Sequence, residues 1–265
     1  MTDLAGKHVI VTGGSQGIGA AVAREAAALG AHVSLIARGE KALRFTAESI
    51  APTARWAACD VTDTEALTRA IRSLETDVGP CDVLVCCAGV ALPGRFLEVP
   101  LQELEDQWRV NVRGAATAVG SVAPGMAERG AGHLVLVSST AGILGVPGYT
   151  GYAATKFAIR GFAESLRYEL EPLGVTVTVL FPPDTQTPGF DAENLRKPPE
   201  TAAISGNITP FAAKRVAEKL IHGIQRNRRI VTVDTLTSVL RRFGGILEPA
   251  VHWSFLRTVR RVRGL

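Results

Sequence analysis

Two side chains able to do acid–base chemistry lie four residues apart, Tyr152 and Lys156 in the segment GYAATKFAIRGFAESL. The segment is predicted to be a helix, which places both side chains on one face. A lysine ammonium favours a neighbouring phenolate, so we expect Lys156 to lower the pKa of Tyr152 from about 10. Tyr152 could then donate a proton to a carbonyl oxygen as a general acid. Such a pair also arises by chance on helices, so the interpretation needs support from other residues.

Ser139 and Asn111 supply that support. Ser139 ends a strand-like run thirteen residues before Tyr152 and could donate a hydrogen bond to the same carbonyl oxygen. Asn111, in the preceding helical segment, could hold a water molecule that relays protons to Lys156. Together the four residues predict a catalytic centre that protonates a carbonyl oxygen.

A glycine-rich turn, TGGSQGIG at 12–19, follows the first strand-like run and leads into an alanine-rich helix. Glycines permit a tight turn and let backbone N–H groups approach a pyrophosphate at the start of a helix. The sterics of a tight turn alone would also favour glycine. At the first strand–helix turn of a repeating pattern, however, the segment predicts a dinucleotide site formed by Gly13, Ser15, Gln16, Gly17, Ile18 and Gly19.

The second strand-like run ends in Leu35-Ile36-Ala37-Arg38, with no carboxylate to bind the ribose 2′-hydroxyl of NAD. Arg38, helped by Ser15, would instead contact a 2′-phosphate, so the predicted cofactor is NADPH. The alternative for Arg38 is a surface residue that opens the next helix. Asp60 and Val61, after the third run, are predicted to contact adenine, with a helix-capping role as the alternative for Asp60.

The order of elements predicts an α/β protein. Near-continuous apolar runs, typical of strands covered on both faces, alternate with helical stretches. We predict one domain, 1–265, with a three-layer, doubly wound Rossmann fold and a seven-stranded parallel sheet. The predicted strands are 8–13, 31–37, 55–60, 82–89, 133–139, 174–181 and 229–233.

The alternation of strand-like and helical segments is interrupted after the sixth run, where six prolines occur between 181 and 210. We predict a long irregular excursion there and assign 182–210 as a substrate loop or lid.

The C-terminal part is strongly basic. Residues 1–213 carry 17 basic and 22 acidic side chains and residues 214–265 carry 12 and 3, which gives net charges of −5 and +9. We predict a basic amphipathic segment at 236–265 whose apolar stripe faces a membrane. The alternative is a helix docked on its own or a partner subunit. The stripe consists of Val251, Phe255, Val259 and Val262.

Composition limits the location and the partners. An apolar stretch long enough to span a membrane and the apolar core of a signal peptide are both missing, which favours a cytoplasmic protein. The basic amphipathic segment adds the prediction of peripheral contact with the inner face of a membrane. No nucleic-acid recognition motif accompanies the basic charge. The four cysteines are predicted to be reduced and mostly buried, with no metal site, because their layout suits neither disulfides nor zinc.

TGGSQGIG, Asn111, Ser139, Tyr152 and Lys156 together resemble the short-chain dehydrogenase/reductase superfamily over nearly the whole chain. The resemblance implies hydride transfer from a nicotinamide to a carbonyl, with Tyr152 as proton donor. It also implies cofactor contacts by Tyr152 and Lys156 and assembly as a homodimer or homotetramer. Further cofactor contacts are implied for Ala88, Gly89, Pro182 and Thr187.

Two positions depart from the superfamily pattern. Its Asn-Asn-Ala-Gly is Cys86-Cys87-Ala88-Gly89 here, so we expect packing to replace the lost side-chain hydrogen bonds of this segment. Its Pro-Gly after the sixth strand is Pro182-Pro183, which removes a donor and stiffens the turn.

The segment FPPDTQTPGFDAENLRKPPET at 181–201 is similar to the loop of 3-ketodihydrosphingosine reductases. This resemblance implies NADPH-dependent reduction of a long-chain sphingoid ketone, with substrate contacts by Asp184, Pro188, Phe190 and Asn194. Two alternatives stay open. One is a reductase of another hydrophobic ketone, such as a 3-oxoacyl thioester, steroid or retinoid. The other is a non-catalytic NADPH-binding scaffold or sensor.

Overall fold

A computed structural model describes residues 2–206 and 209–265 of the chain, built around a parallel β-sheet. Seven strands form this sheet in the order β3-β2-β1-β4-β5-β6-β9, and all neighbouring strands are parallel. The strands are His8–Thr12 (β1), His32–Ala37 (β2), Arg55–Ala58 (β3), Val83–Cys86 (β4), Gly132–Val137 (β5), Val175–Phe181 (β6), Thr185–Gln186 (β7), Phe211–Ala212 (β8) and Ile230–Thr232 (β9).

Ten α-helices connect and cover these strands in the described residues: Gly17–Ala28 (α1), Glu40–Ile50 (α2), Thr64–Val78 (α3), Leu101–Trp108 (α4), Gly114–Glu128 (α5), Thr150–Leu170 (α6), Pro188–Asn194 (α7), Pro199–Ser205 (α8), Ala213–Gln225 (α9) and Thr235–Arg263 (α10). Two apolar cores lie on opposite faces of the sheet. Helices α1, α2 and α9 pack on one face, and α3, α5 and α6 on the other. The predicted fold class and all seven predicted strands are therefore confirmed.

The strand order creates a crevice at one edge of the sheet. The chain runs outward through β1, β2 and β3 and then returns to place β4 on the other side of β1. In such sheets ligands bind beyond the carboxyl ends of the strands, where the order reverses. The predicted functional residues that follow β1, β4, β5 and β6 are thereby brought to the same edge.

The region after β6 is more regular than predicted. The expectation of an irregular excursion was wrong, because this region contains α7, α8 and the two-stranded parallel pair β7–β8. The Thr187 side chain accepts a hydrogen bond from Phe190 N at 3.1 Å and so caps α7. Pro188 and Pro199 stand at first helical positions, where proline is well tolerated. Residues 207 and 208 of the predicted substrate loop lie outside the described residues.

The C-terminal helix α10 docks on its own chain. Its predicted apolar stripe turns Val251, Phe255 and Val259 toward the protein, where they are half-buried, and α10 packs against α8. The expectation that this stripe faces a membrane was therefore wrong for these residues, and the docked alternative describes them. Within the described residues no helix is both long and apolar enough to cross a bilayer.

A buried carboxylate joins α10 to α8. Glu200, 1% exposed, receives hydrogen bonds from Arg95 at 2.9 and 3.1 Å and from Arg263 Nε at 3.0 Å. Two arginines thus satisfy one buried charge, as its desolvation requires. The end of the chain is fixed to the region predicted to cover the substrate.

The cysteines are free thiols, as predicted. Cys59, Cys81 and Cys86 are buried, and Cys87 is half-buried. Burial raises the pKa of Cys86 to about 12 and that of Cys87 to about 11, so both are neutral at physiological pH.

Candidate active site

Helix α6 carries Tyr152 and Lys156 one turn apart, at the carboxyl end of β5. The Lys156 side chain is buried, at 5% exposure, and its Nζ donates a hydrogen bond of 2.9 Å to the carbonyl oxygen of Val137, the last residue of β5. Nζ also lies 5.4 Å from the centroid of the Tyr152 ring. The predicted juxtaposition of the two side chains is present.

Ser139 follows β5 directly and lies beside Tyr152. Its backbone is extended, and its Oγ accepts a hydrogen bond of 3.1 Å from Ala141 N at the start of a short 3₁₀ turn. Burial raises the pKa of Tyr152, and the Ser139 hydroxyl acts on the phenol in the opposite direction. Thr140 N donates to Pro182 O at 3.1 Å, which holds this turn against the end of β6.

Asn111 lies in the predicted helical segment, in a π-helical turn, Arg109–Arg113, between α4 and α5. Its side chain is 2% exposed. Oδ1 accepts from Val90 N at 2.8 Å, while Nδ2 donates to Val90 O and Thr155 Oγ1 at 2.9 Å each. Asn111 therefore ties the segment after β4 to α6, and π turns are common at functional sites.

Asn111 and Lys156 border the same space beside Gly89. A Cβ atom added to Gly89 would lie 3.4 Å from Asn111 Oδ1 and 3.5 Å from Lys156 Nζ. The two polar atoms thus face one small volume, which is where the predicted water relay would run. The relay itself stays a prediction.

The pKa of Tyr152 shifts in the direction opposite to the one expected. Burial raises it, and the nearby carboxylates of Glu193 and Asp184 raise it further, against the lowering effect of Ser139. Burial also lowers the pKa of Lys156 to about 8, which weakens the lysine as a source of positive charge. In this structure Tyr152 is accordingly held in its neutral, proton-donating form.

The glycine-rich turn packs so closely that Gly13 and Gly19 cannot carry side chains. Gly13 has φ +71°, and a Cβ there would lie 2.7 Å from Ala88 N. A Cβ on Gly19 would collide with the Gly13 carbonyl oxygen. Helix α1 starts at Gly17, with no side-chain cap from Gln16, so its first N–H groups point into this turn. These residues fit a dinucleotide pyrophosphate.

The predicted adenosine contacts surround the ends of β2 and β3. Arg38 is exposed directly after β2, and it is one of the charges that lower the pKa of Asp60. Burial opposes that shift, but hydrogen bonds from Thr62 and the two arginines Arg38 and Arg109 outweigh it. Asp60 accepts from Thr62 N at 2.9 Å, whereas the cap of α3 is Asp63. Val61 is buried against Gly114.

Thr12 is a contributor that the sequence did not single out. Its carbonyl oxygen accepts from Cys87 N at 3.2 Å and its Oγ1 accepts from Ala88 N at 3.3 Å. These bonds hold the Cys-Cys-Ala-Gly segment against the glycine-rich turn. The expectation that packing alone holds the segment was incomplete. A threonine directly before the first glycine was the available signal.

The predicted substrate-loop residues divide into two groups. Asp184 and Phe190 are half-buried, whereas Pro188 and Asn194 are exposed. Thr187, a predicted cofactor contact, lies against Gly17, whose added Cβ would be 3.1 Å from the threonine Cγ2.

Tyr149 and Glu193 are two residues at the site that the sequence analysis missed. The Tyr149 hydroxyl donates a hydrogen bond to Glu193 Oε1, and the rings of Tyr149 and Tyr152 lie 5.8 Å apart. Neither residue belongs to a spacing pattern, so only the fold brings them together.

Comparison with known proteins decides the family. The family model described as short chain dehydrogenase matches residues 7–197. The chain belongs to the short chain dehydrogenase family. A structure of a short chain dehydrogenase/reductase from Burkholderia phymatum in complex with NAD has the same fold, with a TM-score of 0.85 and 24% identity over 94% of this chain and 96% of that one.

Two curated relatives of this short chain dehydrogenase have names that state a substrate. The 3-ketodihydrosphingosine reductase of Dictyostelium discoideum is 37% identical over 95% of this chain and 81% of its own length. The glycine betaine reductase of Emericella nidulans is 38% identical over 73% of this chain, a match that spans 16% of that longer protein.

Because of Lys156, we expect the free energy of unfolding of the cofactor-free protein to vary with pH in the alkaline range. Its folded-state pKa of about 8 lies below the unfolded value of 10.5, so the unfolded state binds more protons between these pH values. The free energy of unfolding contributed by this group therefore rises with pH across this window, by up to about 3 kcal/mol. Urea titrations at several pH values should show a steeper rise for wild type than for Lys156→Met. Parallel pH curves for the two proteins would contradict the assignment.

Proposed function

We propose that this protein is an NADPH-dependent reductase that converts 3-ketodihydrosphingosine to dihydrosphingosine, a step of sphingolipid synthesis. The observation that carries the substrate assignment is the 37% identity to a 3-ketodihydrosphingosine reductase over 95% of the chain, the region after β6 included. The reaction class is supported independently by the arrangement of Ser139, Tyr152 and Lys156 at the carboxyl edge of the sheet.

The residues of the site have distinct roles in the proposed reaction. A bound reduced nicotinamide supplies a hydride to the ketone carbon. Tyr152, held neutral by its surroundings, donates its proton to the ketone oxygen, and Ser139 donates a hydrogen bond to the same oxygen. Lys156 would hold the cofactor ribose and would pass on the proton that restores Tyr152. Asn111 positions α6 through Thr155.

Tyr152→Phe tests the reaction. We expect it to lower kcat by about 10²- to 10⁴-fold, because the general acid is lost, and to change the Kd for NADPH, measured by fluorescence, far less. NADPH oxidation with 3-ketodihydrosphingosine in detergent micelles gives the rate. Tyr168→Phe, an exposed tyrosine on the same helix, is the matched control. Full activity in Tyr152→Phe would contradict the mechanism, and absence of wild-type turnover with confirmed NADPH binding would favour another ketone or the scaffold.

Arg38 tests the choice of cofactor. It follows β2 at the exposed position where an acidic residue would favour NAD. We expect Arg38→Ala to raise the KM for NADPH by about 10- to 100-fold, the size of a hydrogen bond between charged groups, with little change for NADH. Arg44→Ala removes an exposed arginine from α2 and serves as control. Equal effects of Arg38→Ala on both cofactors would contradict a 2′-phosphate contact.

We propose peripheral membrane contact through α10, on a face different from the one predicted. One side of α10 docks on the protein, and the other side carries a second apolar stripe that is exposed. Arginines continue this face toward the C-terminus, where they suit anionic headgroups. The exposed stripe consists of Leu236, Val239, Phe243, Ile246 and Trp253, and the arginines are Arg257, Arg260 and Arg261.

Vesicle sedimentation tests this contact. We expect wild type to bind phosphatidylglycerol vesicles more tightly than phosphatidylcholine vesicles, and the double variant Phe243→Ser, Trp253→Ser to bind about 10- to 100-fold more weakly, because two aromatic side chains no longer enter the bilayer. Phe45→Ser removes an exposed phenylalanine from α2 and should change nothing. Unchanged binding by the double variant would contradict the proposal.

A further inference from the structure

The charges of two carboxylates, Glu193 on α7 and Asp184 after β6, act on Tyr152. Glu193 on α7 accepts a hydrogen bond from Tyr149, whose ring packs 5.8 Å from that of Tyr152. Asp184 lies three residues after the end of β6 and is half-buried. In addition to burial, the negative charges of Glu193 and Asp184 both raise the pKa of Tyr152. Glu193 is therefore one tyrosine ring away from the proton donor.

Lys197 is the cation that acts on both carboxylates. Its Nζ lies 3.6 Å from Glu193 Oε1 and 4.4 Å from the centroid of the Phe190 ring, and its side chain is 6% exposed. One lysine facing two carboxylates leaves one negative charge uncompensated within this group. An unpaired charge in a half-buried position is costly. Burial accordingly raises the pKa of both Asp184 and Glu193.

The substrates named for the two relatives share one chemical feature. The compound 3-ketodihydrosphingosine carries its amino group, protonated at neutral pH, on the carbon next to the ketone. Glycine betaine, in the name of the second relative, also has a cationic nitrogen on the carbon next to its carbonyl carbon. The long alkyl chain is present in only one of the two. A cation adjacent to the reacting carbon is thus the feature they have in common.

We propose that Glu193, supported by Asp184, is a specificity-determining residue that binds the cationic nitrogen next to the carbonyl of an α-amino ketone. With the ketone oxygen held by Tyr152 and Ser139, that nitrogen is attached to the carbon next to the reacting carbon, in the region where the charges of Glu193 and Asp184 act on Tyr152. In the described part of the chain, Tyr149 and Lys197 both contact Oε1 of Glu193, which leaves Oε2 for the ligand. The bound ammonium would supply the missing positive charge.

This inference rests on the proposed function for the sphingoid chain but makes a separate claim about the amine. The test compares wild type and Glu193→Gln on three ketones of equal chain length: 3-ketodihydrosphingosine, its N-acetyl derivative and the ketone without the amino group. We expect Glu193→Gln to lower kcat/KM for the amino ketone about 10- to 100-fold and to change the neutral ketones less than about threefold. Asp191→Asn removes an exposed carboxylate from the same helix and is the matched control.

Equal losses on all three ketones would overturn the inference, because they would indicate that Glu193 only stabilises α7. A second measurement needs no variant. Wild-type protein with NADPH should bind dihydrosphingosine at least about tenfold more tightly than N-acetyldihydrosphingosine in calorimetry, and equal affinities would also overturn it.

The outcomes separate this inference from the proposed function. Reduction of 3-ketodihydrosphingosine without any selectivity for the amine would leave the proposed function standing and remove the amine subsite. Glu193-dependent reduction of short α-amino ketones, with no turnover of the sphingoid ketone, would support the amine subsite and remove the proposed function.

Discussion

The burial of Lys156 at the carboxyl end of β5 is the constraint on which the rest of the site depends. An ammonium group removed from water needs a fixed acceptor, and the Val137 carbonyl supplies it at 2.9 Å. For this bond to form, α6 must lie directly against the end of β5. Gly142 permits that approach, because a Cβ there would lie 2.8 Å from the Lys156 carbonyl oxygen. Tyr152 and Ser139 are brought together by the same packing.

Much of this arrangement could be predicted from the sequence because it follows from periodicity and strand order. The four-residue spacing of Tyr152 and Lys156 placed both on one helix face, and the parallel sheet brought Ser139 and the glycine-rich turn to the same edge. The roles of Thr12, Tyr149 and Glu193 could not be predicted in this way. Their contacts join segments far apart in the chain, and of the three only Thr12, directly before the first glycine, stands in a local motif.

The electrostatics of the site were the least predictable part. A neighbouring lysine was expected to lower the pKa of Tyr152, but burial reduces the charge of the lysine itself and carboxylates from α7 and the end of β6 act in the opposite direction. The sequence likewise predicted an amphipathic C-terminal segment but assigned its stripe to the membrane. The structure uses that stripe for docking, with Arg263 bound to the buried Glu200.

The most direct test of the account is to follow the hydride itself. NADPH carrying deuterium at the transferred position of C4 would be supplied to the wild-type protein with 3-ketodihydrosphingosine, and the product would be analysed by mass spectrometry and NMR. The proposed reaction gives dihydrosphingosine with one deuterium at C3 and an unlabelled hydroxyl proton from the solvent. Product without deuterium at C3 would contradict it.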